Sequence, residues 1–335
     1  MTRVAVLSAG SWGTTMAALF ADAGNEVLVH ARRSEIADGI NTRHENPAYL
    51  PDIVLPDTLR ATTDPVEALT DADLVILSIP AQTLRDNLAT WTPLIEPHAV
   101  LISLMKGVET HSGLRMSQVI TQVTGIPDQR VAVISGPNLA REVAARRPAA
   151  SVIACPDETA AKNIQAACHT PYFRPYTATD VVGCELGGAV KNVIALAVGL
   201  ATGMGLGDNA RALLITRGLA ETARLGTALG ADPLTFSGLA GAGDLMATCS
   251  SPLSRNRTFG EHLGQGLTVA EATVATSQTA EGVKSCQAIL DLARGHGIEM
   301  PITELVASVI EGRATVKEAA SMLMARTPKP ERYDS

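Results

Sequence analysis

A doubly wound α/β sheet followed by an all-α domain is the fold class this chain predicts, and three observations predict it. Short apolar runs rich in β-branched residues recur through the first half, at 3–7, 26–30, 74–79, 99–104, 131–135, 150–154 and 173–176. Several are apolar without interruption, as expected of strands covered on both faces. Helix-compatible stretches, among them 82–91, 113–123 and 158–168, lie between these runs. Alternating β and α elements wind into a mostly parallel sheet with helices on both sides. From about residue 181 the strand-like runs stop, Ala and Leu rise, and helical patterns continue to about residue 326.

The chain of 335 residues is long enough for two domains with separate cores. The expected division is 1–180 for the sheet domain, 181–326 for the all-α domain and 327–335 for a fraying tail. Residues 41–60, with prolines at 47, 51 and 56, read as a long irregular connection over the surface. Hydrophobic residues make up 46% and charged residues 18%, the composition of an ordinary globular protein. A formal net charge of −7 gives no general attraction to nucleic acid or anionic lipid. No uninterrupted apolar run reaches the roughly 18 residues that a membrane span needs, so none is expected. Cysteines at 155, 168, 184, 249 and 286 are scattered and form no C-x-x-C, which predicts free thiols in a reducing cytoplasm. The seven histidines show no metal-ligand spacing, so no metal site is expected.

The first strand runs into Ser8-Ala9-Gly10-Ser11-Trp12-Gly13, and residues 14–22 read as a helix. Strand, glycine-spaced turn and helix in that order form the setting in which G-x-G-x-x-G holds a dinucleotide pyrophosphate. Gly10, where backbone meets pyrophosphate, and Gly13, where helix packs on strand, are present. Ser8 stands where the first glycine is expected, which is least disruptive if Ser8 keeps a negative φ. The expected architecture is therefore an N-terminal Rossmann-type sheet. The second strand ends in His30-Ala31-Arg32-Arg33, where an NAD-selective site usually carries an acidic residue for the ribose 2′-hydroxyl. Two guanidiniums suit a 2′-phosphate instead, which predicts a preference for NADPH and leaves NADH as a second substrate. The competing reading is a solvated basic turn.

Lys106 follows the 99–104 strand, and in an open α/β sheet ligands bind beyond the carboxyl ends of the strands. A cation there can hold an anionic substrate, or it can simply be a loop lysine. Ser135-Gly136-Pro137-Asn138 likewise joins a strand to a helix start and offers unpaired N–H groups, though an ordinary connection would look the same. Lys191 is the most telling single residue. It lies in Leu186-Gly187-Gly188-Ala189-Val190-Lys191-Asn192-Val193-Ile194, a helical stretch apolar nearly all round, and only six of the 27 basic residues are lysine. Burial lowers an ammonium pKa toward neutrality, which a general acid–base group requires. Snorkelling, or pairing with Glu185, is the alternative. Gly241-Ala242-Gly243-Asp244 and Ser251-Pro252-Leu253-Ser254-Arg255-Asn256-Arg257 form the densest polar cluster, with arginines spaced for a phosphate or for solvent.

Taken together and in order, these segments resemble bacterial-type NAD(P)-dependent glycerol-3-phosphate dehydrogenase over roughly residues 3–315. The resemblance also rests on Asn46-Pro47-Ala48-Tyr49-Leu50-Pro51, Gly205-Leu206-Gly207-Asp208-Asn209, Thr216-Arg217-Gly218 and Ala280-Glu281-Gly282. It implies reversible reduction of dihydroxyacetone phosphate to sn-glycerol 3-phosphate, supplying glycerophospholipid synthesis, with Lys191 as general acid–base. It implies substrate contacts from Lys106, Gly136, Asn138, Asp244, Ser254, Arg255 and Asn256. For the dinucleotide it implies Gly10, Ser11, Trp12, Gly13, Arg32, Arg33, Lys106, Ala140, Arg255 and Glu281. Nucleic acid is not expected as a partner, and a homodimer is left open.

The chain departs from the family pattern at Ser8, at Asn138-Leu139 where many relatives carry Ser-Phe, and at Thr279 where an aliphatic residue is common. Two rival readings remain at this point. One is a related dehydrogenase of β-hydroxyacids, and the other a dinucleotide-binding paralogue with little turnover.

Overall fold

In the computed structural model, residues 1–276, 280–328 and 330–331 are described. Seven strands fall on the seven expected runs: β1 (Arg3–Leu7), β2 (Glu26–His30), β4 (Leu74–Leu77), β5 (Val100–Ser103), β6 (Val131–Ser135), β7 (Ala149–Ala154) and β8 (Phe173–Ala178). The eighth, β3 (Arg60–Thr62), pairs with β2 from Leu28–Arg60 to His30–Thr62. The sheet order is β3-β2-β1-β4-β5-β6-β7-β8. Strands β1 to β6 run parallel, but β7 lies antiparallel to β6, with Val133 opposite Ala154, so β7 and β8 run against the other six.

β1 shows how the sheet holds helices on both sides. Val4 and Val6 point into one core layer with Met16, Leu19 and Phe20 of the helix Ser11–Asp22. Ala5 and Leu7 point into the other, with Leu84, Leu88, Trp91, Met116 and Val119. A strand alternates its side chains between faces, so an unbroken apolar run is what two covered faces demand.

Of the 41–60 segment, residues 44–59 are irregular, as expected, while 41–43 finish the π-helical turn Gly39–Arg43 and Arg60 opens β3; nor is the segment superficial. Leu50, Leu55 and Leu59 are buried, and Leu55 and Leu59 join the core layer of the helix Ser11–Asp22. Its prolines exclude regular structure while its leucines supply the anchor.

Past β8 the chain turns at Asp180, whose carboxylate accepts from Gly183 N at 2.8 Å and caps the helix Val181–Gly203. That helix is buried almost throughout, and the helices Asp208–Ala228, Arg255–Gly264, Glu281–Gly295 and Pro301–Ile310 pack around it. By length and composition alone it could cross a membrane, with a mean hydropathy of 1.6, but 89% of that window is buried inside the protein. The five cysteines are free thiols, all buried, two in the sheet domain and three among the helices.

Candidate active site

The helix Ser11–Asp22 starts directly after the nucleotide-type turn. No side chain caps its N-terminus, and no acidic residue stands in its first turn. Its leading N–H groups and the positive end of its dipole therefore remain for an anion. A Cβ on Gly13 would collide with the Ser8 carbonyl, so glycine is required where helix meets strand. Ser8 departs from expectation: its φ is +123°, not negative. The turn imposes a backbone that favours glycine, and Ser8 adopts it while its Oγ accepts from Gly10 N at 3.3 Å. The substitution thus falls on a demanding position, not the least demanding one.

Around this turn the 41–60 segment forms a wall. Asn46 is buried and its Nδ2 donates to the carbonyl of Ala9 and to Thr14 Oγ1, each at 2.9 Å. Ser11 Oγ donates to the Tyr49 carbonyl at 2.8 Å, and Trp12 packs on the sheet-domain core. Thr15 Oγ1, which donates to the Ser11 carbonyl at 2.7 Å, also lies 3.2 Å from the carbonyl of Ala140, so the start of the helix Ala140–Ala144 sits beside the turn. Arg32 and Arg33 lie exposed beyond the end of β2, with the Arg33 guanidinium 5.8 Å from the Tyr49 ring centroid and 3.5 Å from Glu35. An open helix N-terminus, a glycine that keeps backbone clear and two cations at the strand end fit a dinucleotide.

The second cluster joins both domains. Lys106, in the connection after β5, and Lys191, in the middle of the helix Val181–Gly203, converge on one carboxylate. Lys106 Nζ donates to Asp244 Oδ2 at 2.6 Å and to the Gly136 carbonyl at 3.1 Å. Lys191 Nζ donates to Asp244 Oδ1 at 2.6 Å and to Thr248 Oγ1 at 2.7 Å. Asp244 is 1% exposed, so its carboxylate offsets part of the two ammonium charges where water cannot. Burial pulls the Lys191 ammonium down to about 8, against the opposing pull of Asp244, while the charge of Lys106 lowers it further. A lysine so poised can give up a proton and take it back near neutral pH. Gly188, three residues earlier on the helix, leaves room for the Lys106 stem. A Cβ there would stand 3.2 Å from Lys106 Cγ.

Family models described as NAD-dependent glycerol-3-phosphate dehydrogenase N-terminus and C-terminus match residues 3–161 and 180–321. The chain belongs to the NAD-dependent glycerol-3-phosphate dehydrogenase family. It is 64% identical over 331 residues to the glycerol-3-phosphate dehydrogenase [NAD(P)+] of Streptomyces coelicolor, covering 98% of each chain. Against the enzyme of the same name from Thermobifida fusca it is 61% identical, covering 99% of each. A crystal structure of glycerol-3-phosphate dehydrogenase from Coxiella burnetii superposes with a TM-score of 0.91 at 36% identity, covering 97% of this chain and 99% of that one.

Within this dehydrogenase fold, the residues expected at the site divide into those the lysine cluster gathers and those it does not. Gly136 and Asp244 join Lys106 and Lys191 directly. Asn256 joins at one remove: its Nδ2 donates to Asn192 Oδ1 at 2.9 Å and its Oδ1 accepts from Gly282 N at 3.0 Å. Ser254 is buried as the N-cap of the helix Arg255–Gly264, its Oγ accepting from Arg257 N at 3.3 Å, and Arg255 is exposed beside it. Burial raises the Glu281 carboxyl, while the charges of Arg255, Lys191 and Lys106 pull it the other way, which places all four in one electrostatic neighbourhood. The alternative partner for Lys191 is excluded, because Glu185 binds Arg115 and Ser117 instead. Asn138 faces β7: its Oδ1 accepts from Ser151 Oγ at 2.7 Å, and its buried Nδ2 has no partner among the described residues. Thr279 lies outside the described residues.

Two site residues escape a reading of composition and motif. Thr248 touches Lys191, and Asn192 Nδ2 donates to the Lys106 carbonyl at 3.3 Å. Their signal was spacing: Thr248 sits one helical turn after Asp244, and Asn192 immediately follows Lys191.

Proposed function

We propose that the chain catalyses the reversible, NAD(P)H-dependent reduction of dihydroxyacetone phosphate to sn-glycerol 3-phosphate, which supplies glycerophospholipid synthesis. The observation that carries the reading is the shared Asp244 carboxylate, held by one lysine from the sheet domain and one from the helical domain. Lys191 is the general acid–base: its Nζ gives a proton to the substrate oxygen that becomes the secondary hydroxyl, and takes it back in the oxidation. Asp244 and Thr248 hold that amine in place and offset its charge. Lys106 draws the developing oxyanion and the phosphate ester into the cleft. Arg255 meets the phosphate, while Ser254 and Asn256 act by shaping the loop around it. The unpaired Asn138 Nδ2, close to Gly136 through Ser151, is a buried donor that a ligand oxygen would satisfy.

Gly10, Ser11, Trp12 and Gly13 would hold the pyrophosphate at the helix N-terminus, with Ala140, Lys106 and Glu281 lining the path to the nicotinamide. When bound, the nicotinamide supplies or accepts the hydride. Arg32 and Arg33 favour NADPH over NADH, because two guanidiniums follow β2 where an NAD-selective site usually carries an acidic residue for the 2′-hydroxyl. The domain limits we assign are 1–180 and 181–326. A cytoplasmic location and the lack of a nucleic-acid partner rest on charge and cysteine pattern, and a homodimer is compatible with them.

Mixing the purified protein with NADPH and dihydroxyacetone phosphate and following nicotinamide absorbance tests the reaction. Oxidation of NADPH that requires dihydroxyacetone phosphate is expected. Measurable NADPH binding without oxidation would indicate the paralogue with little turnover. Turnover of a β-hydroxyacid instead would indicate the other dehydrogenase class. The ratio of kcat/KM for NADPH to that for NADH tests the cofactor preference, and comparable values would refute it.

A further inference from the structure

The helix Val181–Gly203 grips the Lys106 connection at two points besides the lysine cluster. Near its start, Glu185 is 4% exposed and its carboxylate is fully engaged across the domain boundary. Oε1 accepts from Ser117 N at 2.7 Å, Oε2 accepts from Ser117 Oγ at 2.7 Å, and Arg115 Nη1 pairs with Oε2. Seven residues later, Asn192 donates to the Lys106 carbonyl. Glu185, Gly188 and Asn192 are spaced i, i+3, i+7 and therefore share one face of the helix. The chain from β5 into the first turn of the helix Met116–Thr124 is thus held at Lys106 and again at Arg115 and Ser117 by that one face, with the Lys106 stem passing over Gly188.

We propose that Glu185 is a positioning residue for the reaction: by fixing Arg115 and Ser117 it seats the Lys106 connection on the Lys191 helix, so that both ammonium groups meet on Asp244. The proposal rests on the roles given above to Lys191 and Lys106. A buried carboxylate persists only where donors surround it, and Glu185 finds a guanidinium, a hydroxyl and an N–H at the start of a helix. None of these partners belongs to the lysine cluster, in which both ammonium groups bind Asp244. The charge on Glu185 therefore has no part in neutralising Lys191; what it sets is where the Lys106 connection sits. Misplacing a reacting group by about 1 Å can cost on the order of 100-fold in rate, so a tether at this distance from the chemistry is felt in turnover.

The test compares the full-length wild-type protein with Glu185→Gln and with the milder Ser117→Ala. With NADPH and dihydroxyacetone phosphate, Glu185→Gln is expected to lose roughly 10- to 100-fold in kcat while the KM for NADPH stays within about twofold. Ser117→Ala, which leaves the ion pair intact, is expected to lose a smaller part of the same kcat. A readout independent of turnover accompanies these. The chain has six lysines, few enough for carbon-13 signals of labelled lysine side chains to be resolved, with Lys191→Arg assigning the one of interest. The Lys191 titration is expected to move by about half a pH unit or more in Glu185→Gln, because Lys106 and Asp244 no longer sit at the same distances. A lower Tm with unchanged kcat and an unchanged Lys191 titration in both variants would reduce Glu185 to a fold-stabilising contact and overturn the proposal. If the wild type fails to turn over dihydroxyacetone phosphate, the assigned reaction fails, and the lysine titration still decides whether Glu185 positions the cluster.

Discussion

At Lys191 two opposing forces set the charge. Burial drives the amine toward neutrality, and the Asp244 carboxylate holds the proton on, leaving the group near 8. With the protonated amine as the proposed acid in the reducing direction, kcat is expected to fall as pH rises through about 8. With the neutral amine as the proposed base in the oxidising direction, kcat is expected to rise through the same range. Profiles that slope the same way in both directions would contradict the assignment. Lys191→Ala is expected to lose about 10²- to 10⁴-fold in turnover while NADPH binding survives, and a loss below about tenfold would remove Lys191 from the chemistry. Ser8 carries a different kind of consequence. Its φ of +123° is strained for any residue with a Cβ, and relief of such strain is worth about 1–3 kcal/mol. Ser8→Gly is therefore expected to raise Tm in calorimetry, even though it gives up the contact from Gly10 N; a lower Tm would mean that the contact outweighs the strain.

Among whole elements, the helix Pro301–Ile310 is anchored by a carboxylate from another helix. Glu221, 2% exposed in the helix Asp208–Ala228, accepts from Ile302 N at 2.7 Å and Thr303 N at 3.3 Å. Burial nevertheless outweighs these bonds and pushes its carboxyl up to about 7 from 4.5. The folded protein thus holds this proton more tightly than the unfolded chain. Its contribution to stability is fully present below pH 4.5 and is lost as pH rises through about 7. Wild-type stability by denaturant titration is expected to fall between pH 5 and pH 8 by about 1–3 kcal/mol more than that of Glu221→Gln. Equal slopes would show that Glu221 titrates alike in both states. Elements also differ in how clearly the sequence announces them. The strands of the central sheet were legible because burial on both faces forces unbroken apolar runs. β3 was not, since Arg60–Thr62 is three residues long and follows a proline-rich stretch. The reversal at β7 was hidden as well, because hydrophobic pattern carries no strand direction.

Over the whole molecule, the proposed site lies where the two domains meet: the sheet domain brings Lys106 and Gly136, the helical domain Lys191 and Asp244. The individual residues could be picked out from burial, charge and spacing along the chain. Their convergence on one carboxylate, and the side chains Asn192 and Thr248 that lock it, depend on contacts between segments 53 to 138 positions apart. No local pattern encodes such distances. The five buried thiols extend across the same two bodies, Cys155 and Cys168 in one and Cys184, Cys249 and Cys286 in the other. Burial pushes Cys168, Cys184, Cys249 and Cys286 up to about 12, so little thiolate forms in the native state at neutral pH. The chain therefore carries its own record of unfolding. An alkylating reagent is expected to mark the two groups of cysteines in separate steps under rising denaturant, each group together, as each domain opens. Peptide mass measurements would read the order in which the two halves of the cleft come apart, and labelling of all five in a single step would show that neither half stands without the other.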